Sequence, residues 1–171
     1  MNIVLIGYRG TGKSQVGALL ARRLGVAYIG MDAAIVIRAG MTIPEIVAKH
    51  GWPHFRDLES AEARELAGRD NLVIDTGGGV IERPENIEVL QKNALIVWLK
   101  ASVATIVARI EGGTERPALT SGKSFTEEVA EVLDRRTPLY KSAANVEIDT
   151  DPLTPEQVAE RIVEIWQNRT I

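Results

Sequence analysis

The 171-residue sequence predicts an α/β fold of three layers (α/β/α) around a five-stranded parallel sheet. Three observations predict it. Short apolar runs rich in β-branched residues recur at 3–6, 27–30, 72–75, 95–99 and 146–149. Stretches of helical periodicity separate them, so successive strands cross over and run parallel, covered on both faces. A glycine-rich octapeptide, Gly7-Tyr8-Arg9-Gly10-Thr11-Gly12-Lys13-Ser14, sits between the first strand and the first helix.

Each element has its own signal. Ile3-Val4-Leu5-Ile6 is the first strand, and Val16, Leu19, Leu20 and Leu24 mark one face of the helix that follows. Between them stands a full G-x-x-x-x-G-K-S phosphate-binding loop. Gly7, Gly10 and Gly12 let the backbone curl so that N–H groups point at phosphate oxygens, with Thr11 in the turn and Gln15 beyond it. The helix start adds its positive end. Lys13 is placed to reach the outer phosphates and the Ser14 hydroxyl to ligate Mg²⁺. This is a nucleoside-triphosphate site.

Asp32 follows the second strand at the carboxyl edge of the sheet, where α/β proteins bind ligands. It is a candidate catalytic acid and equally a cap for a helix over 33–38. Thr42-Ile43-Pro44-Glu45 is a capping box for a short helix. A helix from His54 to about Ala67 carries Arg56 and Glu59 on one face, either as a solvated pair or with Glu59 holding the Arg56 fork rigid for a carboxylate. Strand 72–75 runs into Thr76-Gly77-Gly78-Gly79, a place for a ligand to touch backbone or a flexible turn. Asp75, ending that strand, stands where many phosphate-loop proteins place a magnesium-orienting acid. The alternative is that Asp75 caps the glycine turn or pairs with a cation.

Residues 111–124 break the α/β rhythm with glycines, prolines and an isolated Arg116, and predict a mobile lid that excludes water during transfer. A helix from Thr126 carries Arg135-Arg136-Thr137-Pro138-Leu139-Tyr140 on or near its end, where arginines also suit the helix dipole. After strand 146–149, Thr154-Pro155-Glu156-Gln157 caps the last helix, with Val158, Ile162, Ile165 and Trp166 on its inner face. Trp98 and Trp166 read as core. His50 and His54 lie four apart, but no third ligand accompanies them.

Composition narrows the class. Hydrophobic content of 45% with 25% charged residues is that of one globular domain. A net charge of −3 argues against a nucleic-acid surface, and no apolar run is long enough to span a membrane. The chain has no cysteine, which suits a reducing cytoplasm. No exposed apolar stripe stands out, which predicts a monomer.

As a set, these motifs resemble the shikimate kinase family. The match runs nearly end to end. The phosphate loop is generic, whereas HFRDLE at Arg56, TGGG at 76–79, TERPAL at Arg116 and RRTPLY at Arg136 are specific in this order and spacing. The resemblance implies a phosphate-loop kinase fold with a core of about 1–31, 69–110 and 143–171, a substrate-binding segment of about 32–68 and a lid of about 111–124. It implies transfer of the γ-phosphoryl group of ATP to the 3-hydroxyl of shikimate, with Mg²⁺. Asp32 would contact the reacting hydroxyl, orienting it or accepting its proton. Arg56 and Arg136 would hold the substrate carboxylate, Glu59 would steady Arg56, and Gly77, Gly78 and Gly79 would line the pocket. Arg116 would meet the phosphates, and Arg109 with Pro155 would sandwich adenine.

The sequence departs from the family at one point of consequence. The family places two acids, D-x-D, after the second strand, and here Gly30-Met31-Asp32 lacks the first. Asp75 then supplies the missing charge from another strand, joining Ser14 at the metal. Gln15 replaces a common threonine with little expected effect. The competing readings are another small-metabolite kinase, such as a gluconate kinase, and a ligand-binding protein that has lost catalysis along with the acid at Gly30.

Overall fold

The computed structural model describes residues 1–110 and 124–169. Arg116 and all of the anticipated lid except Ser124 lie outside the described residues. Strands β1 (Asn2–Ile6), β2 (Ala27–Gly30), β3 (Leu72–Asp75), β4 (Ala94–Lys100) and β5 (Val146–Asp149) form one parallel sheet in the order β2-β3-β1-β4-β5. The helices are α1 (Lys13–Leu24), α2 (Met31–Ala39), α3 (Ile43–His50), α4 (Trp52–Ala67), α5 (Pro84–Leu90), α6 (Val103–Ile110), α7 (Phe125–Ala143) and α8 (Pro155–Arg169).

The sheet forms where period-2 side chains feed two cores at once. From β1, Ile3 and Leu5 pack with Val16 and Leu20 of α1 and with Val158 and Ile162 of α8. Val4 and Ile6 point the other way, toward Leu66 of α4, Leu90 of α5 and Tyr140 of α7. Each such side chain, fully buried, contributes about 1.5–3 kcal/mol of transfer free energy. Trp98 belongs to the second core, stacked on Tyr140 with ring centroids 5.6 Å apart, and Trp166 packs against the first. A smaller core of Ile35, Ile43, Ile46 and Phe55 holds α2, α3 and α4 together at the edge of the sheet.

Both anticipated capping boxes are present. Glu45 N–H donates to Thr42 Oγ1 at 3.3 Å, and Gln157 N–H to Thr154 Oγ1 at 3.2 Å. A third opens α7, where Glu127 N–H donates to Ser124 Oγ at 3.2 Å.

Two expectations change. Helix α2 starts at Met31 behind Gly30, which offers no side-chain cap, so Asp32 lies inside the first turn and is not its cap. Helix α7 runs past Tyr140 to Ala143, so Arg135 and Arg136 lie inside it and not in its last turn, where the dipole would favour them. Proline removes one N–H donor. The Thr137 hydroxyl bonding Leu133 O at 2.7 Å and the fully buried Tyr140 keep the helix continuous and docked past it. Helix α5 and the single 3₁₀ turns flanking it, Val80–Glu82 and Gln91–Asn93, carried no signal read from the sequence.

The amino end of the sheet is tied by Asn2, whose Oδ1 accepts from Leu72 N–H and whose Nδ2 donates to Arg69 O, both at 3.0 Å. Asn2→Ala leaves both backbone partners of this buried bridge unsatisfied. It should lower stability by roughly 1–3 kcal/mol, read as a fall in urea midpoint at unchanged m-value, without altering ligand affinity at the opposite edge.

Candidate active site

The loop Gly7–Ser14 leaves the carboxyl end of central β1 and wraps the start of α1. Gly7, Gly10 and Gly12 all have positive φ (145°, 82° and 93°). A side chain at Gly7 would also collide with Leu99 O, since its Cβ would stand 2.5 Å away. Lys13 is buried, its Nζ donating to Gly7 O at 2.7 Å and Tyr8 O at 3.0 Å. Thr11 directs both its N–H and its hydroxyl at Tyr8 O, so it shapes the loop from within.

A cavity of about 640 Å³ opens over this loop. Its wall includes Lys13, Ser14, Gln15, Asp32, Asp75 and Arg109, and it reaches Gly77 and Gly78 of the triglycine. Asp32 enters from the first turn of α2, where a carboxylate suits the helix dipole. Arg109, at the end of α6, donates to Gly10 O at 3.1 Å and Thr150 Oγ1 at 3.3 Å, bridging the loop to the connection before α8. Pro155 opens α8 and is not among the described residues of the cavity wall.

Asp75 lies beside Ser14. The Ser14 hydroxyl donates to Asp75 Oδ2 at 2.6 Å, and the Tyr28 hydroxyl donates to the same oxygen at 2.9 Å. Burial, then the Asp75 charge, pushes the Tyr28 phenol up to about 12, so it remains a donor at any working pH. In the sheet register Asp75 is the partner of Gly30. The Asp75 carboxylate therefore stands on the adjacent strand, directly opposite the glycine at position 30.

Next to the Gly77–Gly78 end of the cavity, arginines pack against glycines; Arg56, Glu59, Gly79 and Arg136 are not themselves among the described residues of the cavity wall. Arg56 Nη1 donates to Glu59 Oε1 at 2.8 Å, with the carboxylate fully buried. The rings of Trp52 and Phe55 lie 5.3 and 5.5 Å from the Arg56 guanidinium carbon. A Cβ on Gly79 would fall inside that guanidinium, so only glycine leaves it room. Arg136, 2% exposed, lies on the other side, its Nη1 at 3.3 Å from where a Gly78 Cβ would be. Its Nε donates to Glu82 Oε1 at 2.8 Å, and its Nη2 has no hydrogen-bond partner among the described residues. Tyr140 Oη donates to Gly78 O at 2.5 Å and fixes the turn.

Sequence reasoning missed Tyr28 and Glu82. For Tyr28 a signal existed: it lies two residues before Gly30, on the same sheet face. For Glu82 the only hint was the Arg135-Arg136 doublet, whose two forks share its carboxylate. His50 and His54 pack ring to ring at 4.6 Å, and no group of three metal-ligating His, Cys, Asp or Glu occurs among the described residues. Nor is any described helix long and apolar enough to cross a membrane.

Comparison with known proteins agrees with this geometry. A family model described as shikimate kinase matches residues 9–167. The shikimate kinase of Thermodesulfovibrio yellowstonii is 42% identical over 166 residues, covering 97% of this chain and 95% of its own. That of Caldicellulosiruptor bescii is 38% identical, covering 96% and 94%. The solved structure of shikimate kinase from Acinetobacter baumannii in complex with shikimate superposes with a TM-score of 0.94 at 32% identity, over 99% of this chain and 94% of that one.

The Glu82 carboxyl has a pH signature. Burial raises its pKa, but Arg136 and Arg135 outweigh burial and hold it below the usual 4.5. A depressed folded-state pKa contributes stability that is present above about 4.5 and is lost as pH falls below it. Glu82→Gln should therefore flatten the acid limb of a stability–pH curve measured by urea unfolding.

Proposed function

The chain belongs to the shikimate kinase family, and on that premise we propose how its residues share the transfer of the γ-phosphoryl group of ATP to the 3-hydroxyl of shikimate, yielding shikimate 3-phosphate and ADP. The observation that carries the division of labour is the pair of braced arginines packed on Gly78 and Gly79, next to the Gly77–Gly78 end of the cavity that opens over the phosphate loop. Arg136 Nη2, buried and open to a partner, and the Arg56 fork form the anchor for the substrate carboxylate. Gly77, Gly78 and Gly79 admit the ring closely, and residues 32–68 form the substrate-binding segment.

Phosphoryl transfer asks for alignment and charge neutralisation more than covalent help. Loop N–H groups, the α1 start and Lys13 hold the phosphates. Asp32 contacts the attacking hydroxyl and orients it or takes its proton. Arg109 and Pro155 flank adenine. Arg116 and the lid at 111–124 complete the phosphate environment and exclude water. The chain acts as a cytoplasmic monomer, a reading supported by its scattered rather than clustered exposed apolar side chains, Met1, Tyr28, Ile37 and Leu139.

Ser14 and Asp75 fit Mg²⁺. Both are hard oxygen donors, and a hydroxyl that gives its proton to a carboxylate keeps its lone pairs for a cation. When bound there, Mg²⁺ neutralises charge on the outer phosphates. Asp75 takes the place of the acid absent at Gly30, directly or through a coordinated water.

Coupled ADP release with ATP and shikimate, across a magnesium titration, tests both levels of this reading. Shikimate-dependent turnover is expected in the parent. Asp75→Ala should lose roughly 10- to 100-fold in activity or apparent magnesium affinity while staying folded. Parent-like behaviour at every magnesium concentration would remove Asp75 from the metal site. Independently, Arg136→Lys loses a planar fork and should raise the shikimate KM by roughly 10- to 100-fold. Gly79→Ala, by displacing Arg56, should move the same parameter and leave the ATP KM unchanged.

A further inference from the structure

Asp75 receives two hydroxyl donors at one oxygen, and only Ser14 belongs to the phosphate loop. The second, Tyr28, comes from edge strand β2, where Tyr28 is the register partner of Val73 and Gly30 that of Asp75. Tyr28 and Gly30, two apart, share one sheet face, and the phenol reaches diagonally across to the Asp75 carboxylate.

The ring crosses this distance over two glycines. A Cβ on Gly17 of α1 would stand 2.7 Å from Tyr28 Cε2, too close for any side chain while the ring stays in place. A Cβ on Gly30 would lie 3.4 Å from the Tyr28 hydroxyl, and a carboxylate carried on it would face Asp75 directly as a like charge. Among the described residues both hydrogen bonds to the Asp75 side chain arrive at Oδ2. With Oδ2 held from two sides the carboxylate loses its rotational freedom, and Oδ1 is presented in a fixed direction to a cation or its water.

We propose that Tyr28 is a positioning residue for the phosphoryl-transfer site: its hydroxyl locks the Asp75 carboxylate against Ser14, with Gly17 leaving room for its ring and no acid at position 30 to oppose Asp75. The acid of the metal site is thus delivered from β3 instead of β2, with Tyr28 bracing it. The inference rests on the assignment of Asp75 to the metal.

The test is the magnesium-linked tightening of ADP binding, measured by isothermal titration calorimetry with and without Mg²⁺. Parent, Tyr28→Phe, Asp75→Asn and the double variant are compared. Tyr28→Phe keeps the ring on Gly17 and removes only the hydroxyl. It should bind ADP like the parent without metal, lose about 10-fold of the magnesium-linked affinity, and add no loss in the Asp75→Asn background. If Asp75→Asn abolishes the linkage and Tyr28→Phe leaves it whole, Tyr28 merely packs and the proposal is overturned, while the metal role of Asp75 stands. If Tyr28→Phe weakens the linkage equally with and without Asp75, it acts elsewhere and the proposal also fails. Full linkage in Asp75→Asn would remove both the positioning role and the metal assignment beneath it.

Discussion

The packing of two guanidinium groups against the backbone of Gly78 and Gly79 is the constraint around which the substrate half of the molecule is arranged. A buried cation without a counter-charge costs several kcal/mol, so each fork has its own carboxylate, Glu59 for Arg56 and Glu82 for Arg136. Aromatic faces complete the surroundings, with Trp52 and Phe55 about Arg56 and Tyr8 beside Arg136. Helix α7 runs through Pro138 because Tyr140, two residues on, holds Gly78 and seals the second core. Glycine at 79 follows from the same contact: any side chain would occupy the volume of the Arg56 fork.

The phosphate half obeys a different economy. Its positive potential is mostly backbone, from loop N–H groups and the start of α1, with Lys13 as the one buried side-chain cation of the loop. Negative charge enters from β3 through Asp75 and from α2 through Asp32, on neighbouring carboxyl ends of the sheet. The two halves meet at Gly77 and Gly78, so the arginine–carboxylate pairs and the charges around the phosphate loop form two separate systems on either side of the triglycine turn.

What could be read from the sequence was local. Strands β2, β3 and β5 fall on their expected residues, and the capping boxes at Thr42 and Thr154 lie within four residues of chain, as does the Arg56–Glu59 pair. What could not be read joins distant segments. Tyr28 meets Asp75 across 47 positions and Arg136 meets Glu82 across 54. No local pattern marks such pairs, because their specificity lies in strand register and helix docking. Helix α7 continues through Pro138 for a related reason: tertiary burial of Tyr140 holds the turn beyond the proline in place. Asp75 could be singled out from its place at the end of an apolar strand, whereas its standing opposite Gly30 is a matter of strand register.

The sheet order has a consequence for how the chain is made. Strand β1 is the first to leave the ribosome, yet it sits in the centre of the sheet between β3 and β4. Its second neighbour, Ala94–Lys100, is about 90 residues downstream. At ordinary synthesis rates that is on the order of ten seconds. During this interval the apolar run from Ile3 to Ile6 has an unpaired edge and no cover from α8, which comes last. The arrangement that centres the phosphate loop in the sheet thus leaves the growing chain with one unpaired apolar strand edge until β4 is made.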